Sequence, residues 1–230
     1  MIFSIWTYLA FALTPSLLWL IYYLRKDAHP EPNWMIVKGF LFGALSVIPT
    51  LALQIFFNLT VGQFLIIFAL LSVASEELMK YLSVRWGIFP SAEVDEPTDV
   101  MLYLVIAGLG FAAVENFFYL MNPENIQLTQ VAVMAVVRFI SATLIHALSS
   151  GLLGYFIAKK YFLTGKRFSG KGFLLAFGLH SLYNLSIMLA DHLIAEPTFV
   201  QILIIISVIP IGLIILNVYG FKDLKKINFK

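Results

Sequence analysis

The stretch Ser75-Glu76-Glu77-Leu78-Met79-Lys80 puts two adjacent carboxylates and an ammonium into an apolar run that begins at Phe64. A charge at membrane depth costs on the order of 2.5 kcal/mol or more even on a lenient insertion scale, so it persists only where another group satisfies it or a reaction uses it. Three other places share this character: Glu115 with Asn116, His146, and His180 with Asn184 one helical turn later on the same face. Two imidazoles and up to three carboxylates are suited to activating a water. By one route a carboxylate in a low-dielectric pocket abstracts the proton, while imidazoles and an Asn amide stabilise the oxyanion. By the other, two His and one carboxylate hold a zinc ion with an open position for water, with His146, His180 and Glu115 as candidate ligands. Both routes hydrolyse a peptide bond, and neither needs Cys or Ser.

The elements that must position these groups are long and apolar. The chain is 60% hydrophobic and 12% charged, against about 25% charged in soluble domains, so it belongs in a bilayer. Its net charge of +2 says nothing for nucleic acid, and the absence of Cys removes disulfides, thiolate metal sites and Cys nucleophiles. A span needs about 20 apolar residues. Seven segments qualify, at 2–24, 35–58, 61–84, 100–121, 128–158, 171–193 and 198–219, giving an all-α polytopic membrane protein, a bundle of about seven helices forming one domain over 1–230 with its core at 64–193. The first segment lacks the basic lead and small-residue cleavage site of a signal peptide and reads as a retained helix. The fifth is long enough to tilt, or to bend near Ser149-Ser150-Gly151. The second and third, joined around Asn58-Leu59-Thr60, must pack antiparallel.

Orientation follows Lys and Arg in short loops. They cluster at Arg25, Lys26 and Lys38, from Lys159 to Lys171, and in the tail from Lys222 to Lys230. The alternate loops, near 59, 122–130 and 194–197, hold none. With seven spans all basic regions fall on one side, so the N-terminus is expected outside and the C-terminus cytoplasmic.

At 1.5 Å per residue from the cytoplasmic ends, Glu76 and Glu77 lie about 11–12 Å deep, His180 about 14 Å, His146 about 18 Å and Glu115 about 22 Å. Four helices thus offer carboxylates and imidazoles in one layer, an agreement that scattered core residues would not show. Each residue keeps a purely structural alternative: Glu76 or Glu77 as ion-pair partner of Lys80, and Glu115, His146, His180 and Asn184 as helix–helix hydrogen bonders. Arg138 is expected to snorkel or to pair with an acid such as Glu124. His29 and His192 fall at expected loops, solvated. A His-Glu-x-x-His motif is absent, and Gly108-Leu109-Gly110 is followed by Phe111 rather than Asp, which disfavours the aspartyl type. Ser150 lies one turn after His146, but nucleophile and base usually come from different elements. A proton- or ion-coupled transporter could use the same cluster, although no internal repeat supports it. A retinal receptor needs a lysine in the last helix, and 198–219 has none.

Taken in order, Glu76-Glu77-x-x-Lys80, Phe111-x-x-x-Glu115-Asn116, His146 followed by Gly151 and Gly154, and His180-x-x-x-Asn184 resemble the PrsW family of bacterial intramembrane proteases, which is distantly similar to the CAAX prenyl endopeptidases. The loop Asp95-Glu96-Pro97-Thr98-Asp99 resembles the linker before that family's second motif. The resemblance implies a multi-pass protease of the bacterial cytoplasmic membrane whose partners are the lipid bilayer and membrane-protein substrates of the anti-sigma-factor class. It implies Glu76 or Glu77 as the water-activating base and His146 and His180 as metal ligands or oxyanion donors. Asn184 would support them, Glu115 would complete the site, and Lys80 and Asn116 would assist. The cofactor, if any, is zinc.

Overall fold

A computed structural model describes residues 4–26, 29–121, 127–193 and 199–227, with side chains at all of these except 191–193 and 199–206. The described residues form nine α-helices and no strand: α1 (Ile5–Leu24), α2 (Asn33–Leu45), α3 (Val47–Val61), α4 (Leu65–Gly87), α5 (Pro97–Leu120), α6 (Leu128–Ile140), α7 (Ala142–Thr164), α8 (Gly170–Leu193) and α9 (Phe199–Leu224). Two pairs run on as single traverses, Asn33–Val61 and Leu128–Thr164, which reduces nine helices to seven membrane-length rods. Six rods are long and apolar enough to cross a bilayer by length and composition. The seventh, α4, carries Glu76, Glu77, Lys80 and Arg85 in its 23 residues. At 1.5 Å per residue it still rises about 35 Å, more than a ~30 Å hydrocarbon core. α3 and α4 form the expected hairpin, turning at 62–64.

The long fifth segment breaks at Ser141, not at 149–151. Ser141 leaves helical geometry (φ −121°, ψ −95°), and its hydroxyl donates to Val137 O at 2.6 Å. Such back-bonding by Ser is a recognised cause of helix bending. The small residues at 149–154 serve packing instead: a Cβ on Gly154 would stand 2.7 Å from Met101 Cα on α5.

The helices are arranged around α5, in which every residue from Pro97 to Ala113 is buried, and α5 packs most extensively against α7 and α2. The loop before it is a helix cap: Asp99 Oδ2 accepts from the backbone N–H of Glu96 at 2.6 Å and of Asp95 at 3.1 Å, and Pro97 takes the first helical position. This is the physical role of the Asp95–Asp99 linker, a reciprocal cap that satisfies otherwise orphan N–H groups. Two contacts tie the loop before α2 to the same end of α5: Tyr103 hydroxyl to Glu31, and His29 Nδ1 to Glu96 Oε1 at 2.5 Å. His29 is therefore exposed as expected but ion-paired as well. The His192 side chain lies outside the described residues.

Glycine permits the closest approaches. A Cβ on Gly43 of α2 would lie 2.0 Å from Ala107 O, and one on Gly110 of α5 2.0 Å from Phe40 O. Backbone-to-backbone contact of this kind is how membrane helices gain packing energy without a hydrophobic drive. Gly43→Ala is expected to cost about 1–3 kcal/mol, read as a lower thermal midpoint in detergent, whereas Gly178→Ala, whose added Cβ meets nothing within 4 Å, should cost nothing.

Candidate active site

α4 turns Glu77 and Lys80, three residues apart, towards the bundle interior, where both side chains have no exposed surface. Lys80 Nζ lies 2.5 Å from Glu77 Oε1. The same oxygen accepts from Ser149 Oγ at 3.0 Å and His180 Nδ1 at 2.7 Å. One carboxylate oxygen thus gathers donors from α4, α7 and α8. Lys80 also reaches His146 Nδ1 at 3.1 Å and sits 5.3 Å from the centre of the Phe111 ring.

These contacts set the imidazoles. An ammonium can only donate, so His146 Nδ1 accepts from Lys80 and its Nε2 carries the proton, which points at Glu115 Oε2, 2.9 Å away. His180 donates from Nδ1 to Glu77, which leaves Nε2 with its lone pair. The two rings stand edge to face with centroids 4.9 Å apart.

Glu76 is the carboxylate left over. Its Oε1 accepts from Gln54 Nε2 on α3 at 3.0 Å. Its Oε2 is buried and has no hydrogen-bond partner among the described residues. It faces His180 Nε2 at 3.8 Å, too far for a hydrogen bond. Glu76, His146 and His180 each offer a ligand atom, all within 4.8 Å of one another. Two atoms that each sit about 2.0–2.2 Å from one zinc ion are at most about 4.4 Å apart, so the pair formed by Glu76 and His180 already fits. The contact of Glu77 with His180 Nδ1 is the carboxylate–histidine arrangement that orients an imidazole ligand. His146 is engaged at both nitrogens and must release one neighbour to join such a set.

Glu115, 38% exposed, belongs to a second cluster. Arg138 Nη2 donates to its Oε2 at 2.6 Å, and Arg138 Nε donates to Asn116 Oδ1 at 2.5 Å. Asn116 donates in turn to Thr143 Oγ1 at 2.9 Å and Ala12 O at 3.3 Å. Asn184 is half-buried and lines the same cavity as His180, Arg138 and Glu115.

The family model described as PrsW family intramembrane metalloprotease matches residues 31–213, a range that holds every one of these groups except Ala12. The chain belongs to the PrsW family of intramembrane proteases. It is 31% identical over 180 residues to Protease PrsW of Oceanobacillus iheyensis, covering 76% of this chain and 80% of that one. It is 31% identical over 170 residues to Protease PrsW of Geobacillus kaustophilus, at 71% of both chains, and 29% identical over 158 residues to that of Bacillus subtilis, at 67% and 69%. No solved structure matches. Membership in the PrsW family makes the chain a multi-pass membrane protease and does not favour a transporter.

Within this PrsW chain the structure brings Glu76, Glu77, Lys80, Glu115, His146 and His180 into one connected network, with Asn116 behind it and Asn184 beside it. Two details differ from the sequence reading. The metal-capable set contains Glu76 in place of Glu115, whose Oε2 lies between Arg138 and His146. Arg138 pairs with an acid, one of its two expected roles, but the acid is Glu115, while Glu124 lies outside the described residues. The hydrogen bonds of the His146 ring go to Lys80 and Glu115, with Ser150 in neither. Gln54, Ser149 and Thr143 were not singled out from sequence. A lone amide or hydroxyl in an apolar segment is common helix glue, and only Gln54, an amide set inside the apolar run 47–57, carried a usable signal.

The two glutamates predict different losses. Lys80→Met leaves Glu77 buried without its cation and is expected to cost about 3–5 kcal/mol. Glu76→Gln keeps the Gln54 contact and breaks no close ion pair, so it should cost under about 1 kcal/mol. Chemical or thermal unfolding of the detergent-purified variants separates the two.

Proposed function

We propose that this protein is an endopeptidase that cuts membrane-protein substrates with water activated at Glu76, between α4, α7 and α8. The observation that carries this reading is Glu76 Oε2, a buried acceptor with no partner among the described residues, facing the lone pair of His180 Nε2 at 3.8 Å. A water bridging the two is held by acceptors on both sides and presents its own lone pair to a peptide carbonyl.

In the metal-free form of the reaction Glu76 takes the water proton as hydroxide attacks the carbonyl carbon. The carbonyl pair moves onto oxygen, and His146 Nε2–H, together with Arg138, supplies donors for the oxyanion. Glu76 then returns the proton to the leaving amine nitrogen as the C–N bond breaks. Glu77 does not exchange protons; held by Lys80, Ser149 and His180, it fixes the His180 ring. The donor set also fits zinc, which Glu76, His146 and His180 would hold and which would supply a more acidic water and a polarised carbonyl. The resemblance supports membrane-anchored anti-sigma factors as the substrate class, and the Lys and Arg distribution supports an external N-terminus and a cytoplasmic C-terminus.

The test is co-expression with epitope-tagged single-span membrane proteins, followed by a search for a cut fragment. Glu76→Gln is expected to lower cleavage of such a reporter by about 10²–10⁴ while leaving the protein folded. Retention of activity within twofold would sink the role of Glu76. Zinc at one per chain, lost together with activity on chelation, would select the metal form.

A further inference from the structure

Two cavities meet at the network from opposite sides. One, of about 180 Å³, lies between α3, α4 and α5, and its walls are Val47, Leu51, Phe111 and Phe118, with Gln54 and Glu76 at its inner end. The other, of about 270 Å³, lies among α5, α6, α7 and α8 and is lined by Arg138, Ser141, His146, His180 and Asn184 along with apolar residues. Glu115 lines both. Glu76 faces only the first of the two and the imidazoles face only the second. The network is thus a partition between an apolar cleft and a polar one.

The apolar cleft also opens towards lipid. Its lips are Leu51 on α3, 41% exposed, and Phe118 on α5, 56% exposed. The reason it exists lies in α2 and α3. Gly43 and Gly110 bring α2 and α5 to backbone contact. At Ser46 the rod changes direction: Ser46 Oγ donates to Gly43 O at 2.6 Å, and Thr50 Oγ1 donates to Ser46 O at 2.8 Å, the back-bonding that bends helices. Beyond it α3 is peripheral, with only Val47 and Thr50 buried among its 15 residues.

From this we infer that the substrate's transmembrane segment enters sideways from the bilayer through the gap between α3 and α5, and that water reaches the site through the polar cleft on the other side. The inference rests on the proposed protease reading and adds the route to it. The apolar walls match a membrane-embedded chain. The cavity volume suits a short unwound stretch rather than an intact helix, which is about 10–12 Å across. Gln54, which reaches from the peripheral helix to Glu76 Oε1 at 3.0 Å and lines this cleft, would meet both the entering chain and Glu76. The polar cleft has room for several waters at ~30 Å³ each and offers them polar partners.

The chain has no cysteine, so single-cysteine variants report cleanly. Leu51→Cys lies at the apolar mouth, and Leu174→Cys lies on α8, 66% exposed and lining neither cleft. Each is purified in detergent, tested on the reporter cut by the unmodified protein, then alkylated with a bulky apolar maleimide and tested again. Alkylated Leu51→Cys is expected to lose at least tenfold in cleavage, and the reporter, in excess, should slow its alkylation. Alkylated Leu174→Cys is expected to stay within threefold. Phe118→Cys, on the opposite lip, gives the same reading where Leu51→Cys folds poorly. Unchanged cleavage by both alkylated lip variants, or a block at Leu174→Cys alone, overturns the route while leaving the protease reading in place. Failure of the unmodified protein to cut any reporter counts against the protease reading instead.

Discussion

The ion pair between Lys80 and Glu77 is the constraint on which the rest depends. Neither charge touches solvent, and neither is tolerable alone at this depth. Their pairing is therefore obligatory, and it uses up the ammonium. Everything else in the network is a consequence. Glu77 spends one oxygen on three donors and so fixes Ser149 and the His180 ring. Lys80 spends its second reach on His146 and so decides which nitrogen of that ring bears hydrogen. What remains is a single carboxylate, Glu76, adjacent in sequence but rotated by about 100° on the helix, outside the pair and facing an unshared lone pair. Both glutamates keep one buried oxygen without a hydrogen-bond partner among the described residues, but Glu77 is pinned through its other oxygen by three donors, whereas Glu76 accepts only from Gln54 and faces His180.

A second, independent layer of charge lies closer to the other end of the traverses. Arg138, Glu115 and Asn116 form a chain that ends on Thr143 and on the backbone of α1. Among the described residues its hydrogen bonds meet the first layer at His146. That ring is consequently the hinge between two self-sufficient ion-pair systems, and a change at either is felt at its Nε2 proton. α5, buried along most of its length, supplies the rigid backing against which both layers register.

Much of this was legible in the sequence, for a reason that can be stated. Depth along a membrane helix is a count of residues, so the agreement in depth among Glu76, Glu77, His146 and His180 survives errors of a turn. Rotation about the helix axis is not such a count. Which of Glu76 and Glu77 meets Lys80 depends on the spacing, and both i,i+3 and i,i+4 allow it. Only the packed bundle decides. That Arg138 pairs with an acid was legible, but not that the acid is Glu115, because its distance to Glu115 depends on where the long fifth segment bends. A bend at 149–151 would have carried Arg138 elsewhere, whereas the break at Ser141 lies three residues after it and swings α6 against α5.

That break has an electrostatic side. A helix that begins at Ala142 brings a fresh set of first-turn N–H groups to the middle of the membrane, and Ser141 gives them no side-chain cap. They carry the positive end of a helix dipole, equivalent to roughly half a unit charge, and Ser141 and Ala142 both line the polar cleft. The protein therefore places positive potential beside His146 without another titratable side chain and its desolvation cost. A single straight helix from 128 to 164 would have kept that potential at residue 128, about 27 Å along the axis from His146.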